Sequence, residues 1–167
     1  SLVVALTKKK RRVNLMPAAI RQALPLVEHS FLTAAPTGPQ LKLIGRRDVR
    51  SNNSWMHNSA RLVSGKNRCV LWMHPEDAQS RQLQDGQTVA VQSRVGQIQV
   101  PIHVTDQIRY GVVSLPHGWG HNRPGIQLGI AQAHAGVSIN DVTDDQLTDR
   151  ISGNAAFSAV PVEVRAA

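Results

Sequence analysis

The chain has 167 residues, enough for one domain with a hydrophobic core and too few for two comfortable ones. Its 41% apolar and 18% charged content excludes an intrinsically disordered chain, and no apolar run in the sequence is long enough for a membrane-spanning helix. A formal net charge of +8 calls for an anionic partner, and charge alone does not choose between nucleic acid and a phosphate-bearing small molecule.

Residues 1–40 read as a boundary segment. The apolar run Leu2–Leu6 precedes the basic cluster Lys8–Arg12 instead of following it, and is too short for a signal peptide. The expected compartment is therefore the cytoplasm, with any export signal to be sought on an upstream segment. Five consecutive cations at 8–12 read as a solvated segment. Pro17, Pro25, Pro36 and Pro39 leave space for one short helix around Ala18–Leu24, and Ala34–Pro39 reads as a linker.

From Leu41 the pattern changes. Leu41–Ile44 predicts a short strand that runs into a polar loop, Arg46–Asn58. Cys69–Met73 predicts a near-continuous apolar strand; Cys69 is the single cysteine, which rules out an internal disulfide and reads as a buried, inert thiol. Pro75 opens a short helix running out near Leu83, with proline at the first helical position and acids in the first turn. After a turn at Asp85-Gly86, Thr88–Val91 and Gln97–Val104 form a hairpin through Arg94-Val95-Gly96. Ile98, Val100, Ile102 and Val104 alternate along one face of its second strand. A turn at Gly111 leads to a strand over Val112–Leu115, and residues 116–140 carry little periodicity. Thr143–Gln146 resembles a capping box opening a short helix, Ser152-Gly153-Asn154 interrupts, and Val160–Val164 is the last strand. Closely spaced short strands with one or two small helices predict a mainly β fold, a closed barrel with short helical inserts. With aromatics at 4%, the core falls to Val, Leu, Ile and Ala.

Three constellations carry chemistry. In the first, Arg46, Arg47 and Arg50 stand with Ser51, Asn52, Asn53, Ser54, Trp55, His57 and Asn58 in a loop leaving a strand. Arginine forks suit phosphates, and Ser and Asn add neutral donors. A polar loop is ordinarily only a solvated connection, but that reading leaves Trp55 and His57 without a reason. The second is Pro116-His117-Gly118-Trp119-Gly120-His121, again after a strand. Two histidines four apart invite a metal, yet the glycines oppose a helix and no carboxylate lies in the motif. A flat ring, donors and close backbone approach to a heterocycle fit it better. The third is Asn140 within Gly136–Thr143, where an Asn serves the turn itself or faces a ligand. No nucleophile elbow, acid pair, P-loop or dinucleotide fingerprint occurs, so the chain reads as a binding module with no catalytic set of its own.

These blocks resemble a known family. Leu43–Arg47 followed by Asn53–Asn58 is similar to the start of the molybdopterin dinucleotide-binding domain that closes the catalytic subunits of formate dehydrogenase-like enzymes. So are His74–Ala78, Asp85-Gly86, Thr105-Asp106, Gly111–Val113, Leu115–His121, Asn140–Thr143, Asp149 and Ser152–Asn154, in order over roughly residues 41–165. The resemblance implies a six-stranded double-psi β-barrel at 41–167, with residues 1–40 as linker and tail of a preceding domain. It implies a C-terminal domain of a larger molybdenum or tungsten oxidoreductase that helps hold bis(molybdopterin guanine dinucleotide) against upstream domains of the same polypeptide. It does not imply catalysis by the domain in isolation, which is expected to bind free cofactor poorly. By motif, Arg46 or Arg47 would meet phosphates, Asn53, Ser54, Trp55, His57 and Asn58 would line phosphate or pterin, and His117, Gly118, Trp119 and His121 would line the cavity with Asn140 nearby. The Trp-Met-His-Asn at 55–58 departs from the small-polar pattern of other members, and the adjacent arginines leave one position of alignment open. Two other readings compete. A stand-alone basic barrel would bind nucleic acid through Lys8–Arg12, although the low aromatic content gives it no stacking platform; a metal hydrolase would be centred on His117 and His121.

Overall fold

A computed structural model describes residues 14, 16–33, 40–146, 148, 149, 152–155 and 157–167. The basic run Lys8–Arg12 and the linker Ala34–Pro39 lie outside the described residues. The chain divides into two compact units, Ser1–Pro36 with Asp149–Asn154, and Thr37–Thr148 with Ala155–Ala167.

In the first unit, helix α1 (Ala18–Thr33) opens with the Arg21 amide donating to the Pro17 carbonyl at 3.1 Å. The sequence places the helix end at Leu24. Instead α1 continues through Pro25, which lacks the N–H for an i→i−4 bond, a defect costing about 3 kcal/mol or more inside a helix. Ala, Leu, Gln and Arg around it, all good helix formers, carry the helix past that defect.

The second unit is a closed barrel. Its strands are β1 (Leu41–Arg46), β2 (Leu71–Met73), β3 (Thr88–Gln92), β4 (Gln97–Val104), β5 (Val112–Pro116) and β6 (Val160–Ala166), closing in the order β1-β5-β2-β4-β3-β6. β1 pairs with β5 and β2 with β4 in parallel; the remaining pairs are antiparallel. The closed six-stranded barrel with its two parallel pairs is the mainly β, double-psi barrel that the resemblance implies. The core follows the period of two: Leu41 and Leu43, Leu71 and Met73, Val89 and Val91, Ile98, Val100 and Ile102, Val113 and Leu115, then Val160, Val162 and Val164 are buried. Lys42, Gln97, Gln99, Pro161 and Glu163, one residue off, face outward.

Short helices fill the connections: α2 (Ala60–Val63), α3 (Pro75–Ser80) and α4 (Gly129–Ala133), with a 3-10 turn at Ile139–Val142. α3 is the helix expected at Pro75, capped by His74, whose Nδ1 accepts from the Glu76 amide. Its buried Asp77 accepts from the Gly111 amide at 2.7 Å, which fastens α3 to the turn before β5. Two expectations change here. The strand read at Cys69–Met73 is limited to Leu71–Met73, because Cys69 turns inward against Val137. Thr143–Gln146 opens no helix: Asp144 accepts from Arg94, and the Ser138 side chain caps the 3-10 turn instead.

Candidate functional site

Strand directions decide where the loops go. β1, β3 and β5 run one way and β2, β4 and β6 the other. The β1–β2, β3–β4 and β5–β6 connections therefore leave from one end, and all twelve residues singled out from the sequence lie in the first or last of these or at the strand ends feeding them. The parallel register sets Arg46 beside Pro116, so the loops beginning at Arg47 and His117 emerge side by side.

The geometry sorts these residues into two layers. The inner layer holds the loops together. His57 is fully buried, its Nδ1 sharing a 2.7 Å hydrogen bond with His121 Nε2 and its Nε2 a second of 2.7 Å with Ser51 Oγ. The His57 ring lies 4.0 Å from that of Trp119, which is buried with its indole N–H unpartnered. Burial, then the neighbouring His121 and Arg68, holds the His57 pKa below 6.5; burial does the same for His121. Gly118, at φ +93, presses on the Asn53 backbone where a Cβ would not fit. Asn58 Oδ1 accepts from the Ile130 and Ala131 amides at 3.1 and 3.3 Å, capping α4 across the gap between loops. Arg46 donates to the carbonyls of Ser114 and Val70 and lies 4.1 Å over the Trp72 ring, so its fork is occupied within the protein.

The outer layer is open. Arg47, Asn53, Trp55 and Asn140 are exposed, Ser54 and His117 half-buried. Arg47 donates to Asn53 Oδ1. His117 packs on Gly45, and burial, then the Arg47 charge, lowers its pKa from 6.5. Three ion pairs tie this end together: Arg68 with Asp48, Arg94 with Asp144, and Arg123 with Asp141. Arg50, Arg61 and Lys66 are exposed and outside any ion pair among the described residues, which leaves a local positive excess. A cleft of about 330 Å³ opens between Val63–Arg68 and Ala133–Gly136, with Trp119 in its wall. Larger clefts of about 680 and 670 Å³ flank the barrel, one beside the Arg94–Asp144 pair and one where Arg46 covers Trp72.

Most exposed large apolar residues described in the barrel unit belong to the same three connections. Val49, Trp55 and Met56 lie in the β1–β2 connection, Val95 in the β3–β4 turn, and Leu128, Ile130 and Phe157 in the β5–β6 connection; only Tyr110 of the barrel unit's described residues stands in a connection at the other end. His117 and His121 do not form a metal set: His121 Nε2 is engaged with His57, and no three His, Cys, Asp or Glu converge among the described residues. Asp48, Arg68 and Ser138 hold this end without having been named as ligand residues from the sequence, and Ser51, read there as one of the neutral donors, is bonded to His57; contacts between distant segments such as His57–His121, 64 residues apart, leave no local signal. Among the described residues no helix is long and apolar enough to cross a membrane.

The loop end of the barrel thus combines exposed cations with amide and imidazole donors. The chain belongs to the molydopterin dinucleotide binding domain family, which it matches over residues 41–161. It is 29% identical over 127 residues to the arsenate respiratory reductase molybdopterin-containing subunit ArrA of Chrysiogenes arsenatis, covering 70% of this chain and 15% of that one. The chain thus spans only about 15% of the length of this relative. Acetylene hydratase from Pelobacter acetylenicus shares the fold, with a TM-score of 0.63 at 19% identity over 87% of this chain and 20% of its own.

Proposed function

We propose that this chain is the C-terminal cofactor-binding domain of a larger molybdenum- or tungsten-dependent oxidoreductase, and that its loop end closes over bis(molybdopterin guanine dinucleotide) held against upstream domains of the same polypeptide. The observation that carries the reading is the coincidence, in the connections that leave one end of the barrel, of cations outside any described ion pair, open amide and imidazole donors, and nearly all the exposed large apolar side chains described in the barrel unit. Free cations suit a dinucleotide's phosphates, and a rim of Val, Trp, Met, Leu, Ile and Phe suits burial against more protein.

The residues present fit the group. Arg47 would hold phosphate, with Asn53, Ser54 and Asn140 supplying neutral hydrogen bonds, and Trp55 and His117 offering flat rings to a heterocycle. The buried, unpartnered Trp119 N–H, in a wall shared with Lys66 and Arg68, is a further donor at this end. Arg46, His57, Asn58, Gly118 and His121 then shape the loops from behind. When bound, the cofactor supplies the metal and the redox chemistry; the chain's own residues bind and orient it. Residues 1–40 are read as linker and tail of the preceding domain, and the cytoplasm as the compartment.

Formate is the first substrate to assay in the parent enzyme, on the motif resemblance. The binding reading is tested by Arg47→Glu and His117→Ala in the full-length polypeptide, with bound pterin measured by fluorescence after oxidation. Both variants are expected to lose pterin while keeping the thermal midpoint of the unsubstituted protein stripped of its cofactor. Full pterin content in both would remove this face from the cofactor site.

A further inference from the structure

The hydrogen bonds of the buried histidine pair do more than fill space. His57 Nδ1 and His121 Nε2 stand 2.7 Å apart, and His57 Nε2 stands 2.7 Å from Ser51 Oγ. Two proton arrangements satisfy both contacts. In one, Ser51 donates to His57 and His57 to His121; in the other, His121 donates to His57 and His57 to Ser51. Each places a single proton between the rings. A second proton there would set two N–H groups head to head at 2.7 Å, which the pair accommodates only by separating.

Separation matters because of what the rings belong to. His57 and Ser51 lie in the β1–β2 connection and His121 in the β5–β6 connection, so the hydrogen bond between the rings joins the two longest connections, beside the Asn58 cap on α4 and the Val137–Cys69 contact. Ser51, His57 and His121 are 1%, 0% and 9% exposed, which leaves water little access to relieve the mismatch. The charged groups facing His57 are Asp48, from its own loop, and Arg68, from the segment before β2; these face each other at 3.4 Å and offset most of one another's field. From the β5–β6 side the rings meet the neutral Trp119 and the Gly118 backbone.

We propose that Ser51, His57 and His121 are positioning residues, a single-proton clamp that holds the two ligand loops in register while the histidine pair has gained no more than one proton beyond its neutral state and parts them when it gains a second. The clamp is a property of this chain whatever ligand the loops receive.

Because the barrel closes on its own core, the test uses the 167-residue chain with nitrogen-15 histidine NMR, and the hydrogen-exchange protection of the buried Trp119 indole N–H as loop reporter. The expected result is two titration steps shared by His57 and His121 and separated by more than about 1 pH unit, the mark of interacting sites. Trp119 protection should fall at least about tenfold with the second step, the equilibrium change that a shift of one unit represents. His121→Gln keeps a neutral hydrogen-bonding amide and removes the second titrating ring. It should preserve the neutral-pH protection of Trp119 and carry it below the pH at which the parent chain opens, whereas His121→Phe should lower protection at every pH. If His121→Phe does not fold, the Gln variant still decides. Independent titration of the two rings, or a Gln variant that opens at the same pH as the parent chain, would overturn the clamp.

Discussion

At the scale of single residues, the loop end is built from a few irreplaceable contacts. Gly118 combines φ +93 with a Cβ position inside the Asn53 carbonyl. Gly118→Ala should therefore cost more than about 1 kcal/mol, the low end for a non-glycine residue in such a conformation, read as a lowered denaturation midpoint. A variant as stable as the parent would mean the two loops do not touch there. Asn58 caps α4 from 72 residues away, and Asn58→Ala should cost about 1 kcal/mol by chemical denaturation. The histidines set a pH dependence. His57, His117 and His121 all have pKa values below the ordinary 6.5, with burial the leading cause. The unfolded chain takes up protons below 6.5 that the folded chain refuses, so the stability they contribute is complete above that pH and lost as pH falls through it. Urea midpoints should decline from pH 7 to pH 5, and a flat profile would show that these rings are not held neutral.

At the scale of elements, alternation made the strands legible. Ile98, Val100 and Ile102 in β4 and Val160, Val162 and Val164 in β6 announce their buried face directly. Short pieces defeated the same reasoning. α4 begins with glycine and is capped from a distant loop, so nothing within Gly129–Ala133 announces a helix. Thr143–Gln146 looks like a helix start, but its Asp144 carboxylate is claimed by Arg94 across the β3–β4 turn. That partner holds the Asp144 pKa at about 2, first through the hydrogen bond itself. Its contribution is present above the ordinary 3.8 and lost as pH falls towards 2, so Arg94→Gln should shrink the decline in stability across that window, leaving the part held by the Gln146 amide, and leave the histidine-linked decline unchanged. In the barrel wall, Leu71 is fully buried, and Leu71→Ala should cost about 2–5 kcal/mol, the range for large-to-small core changes.

At the scale of the whole molecule, the closing order of the barrel was not legible from local pattern, because β1 pairs with β5 and β6 across long stretches of chain. The neighbourhood of the two loops was partly legible: arginines, amides and glycine-flanked rings follow strands β1 and β5, whose parallel pairing starts both loops side by side. Which of them face outward was not, since loops have no period from which to read a face. His57 and His121 look like ligand donors in the sequence and prove to be bonded to each other. That most exposed large apolar residues fall in connections leaving the same end became visible only with the strand directions.

The central claim is that this end completes a cofactor site shared with more protein. It is tested most directly by isolating the native polypeptide from its source cells with an antibody to this chain, then measuring its mass and its pterin and metal content. The account predicts a polypeptide several times larger than 18.2 kDa that carries pterin with molybdenum or tungsten. A polypeptide of 18.2 kDa free of pterin would contradict it and bring forward the stand-alone, nucleic-acid-binding barrel.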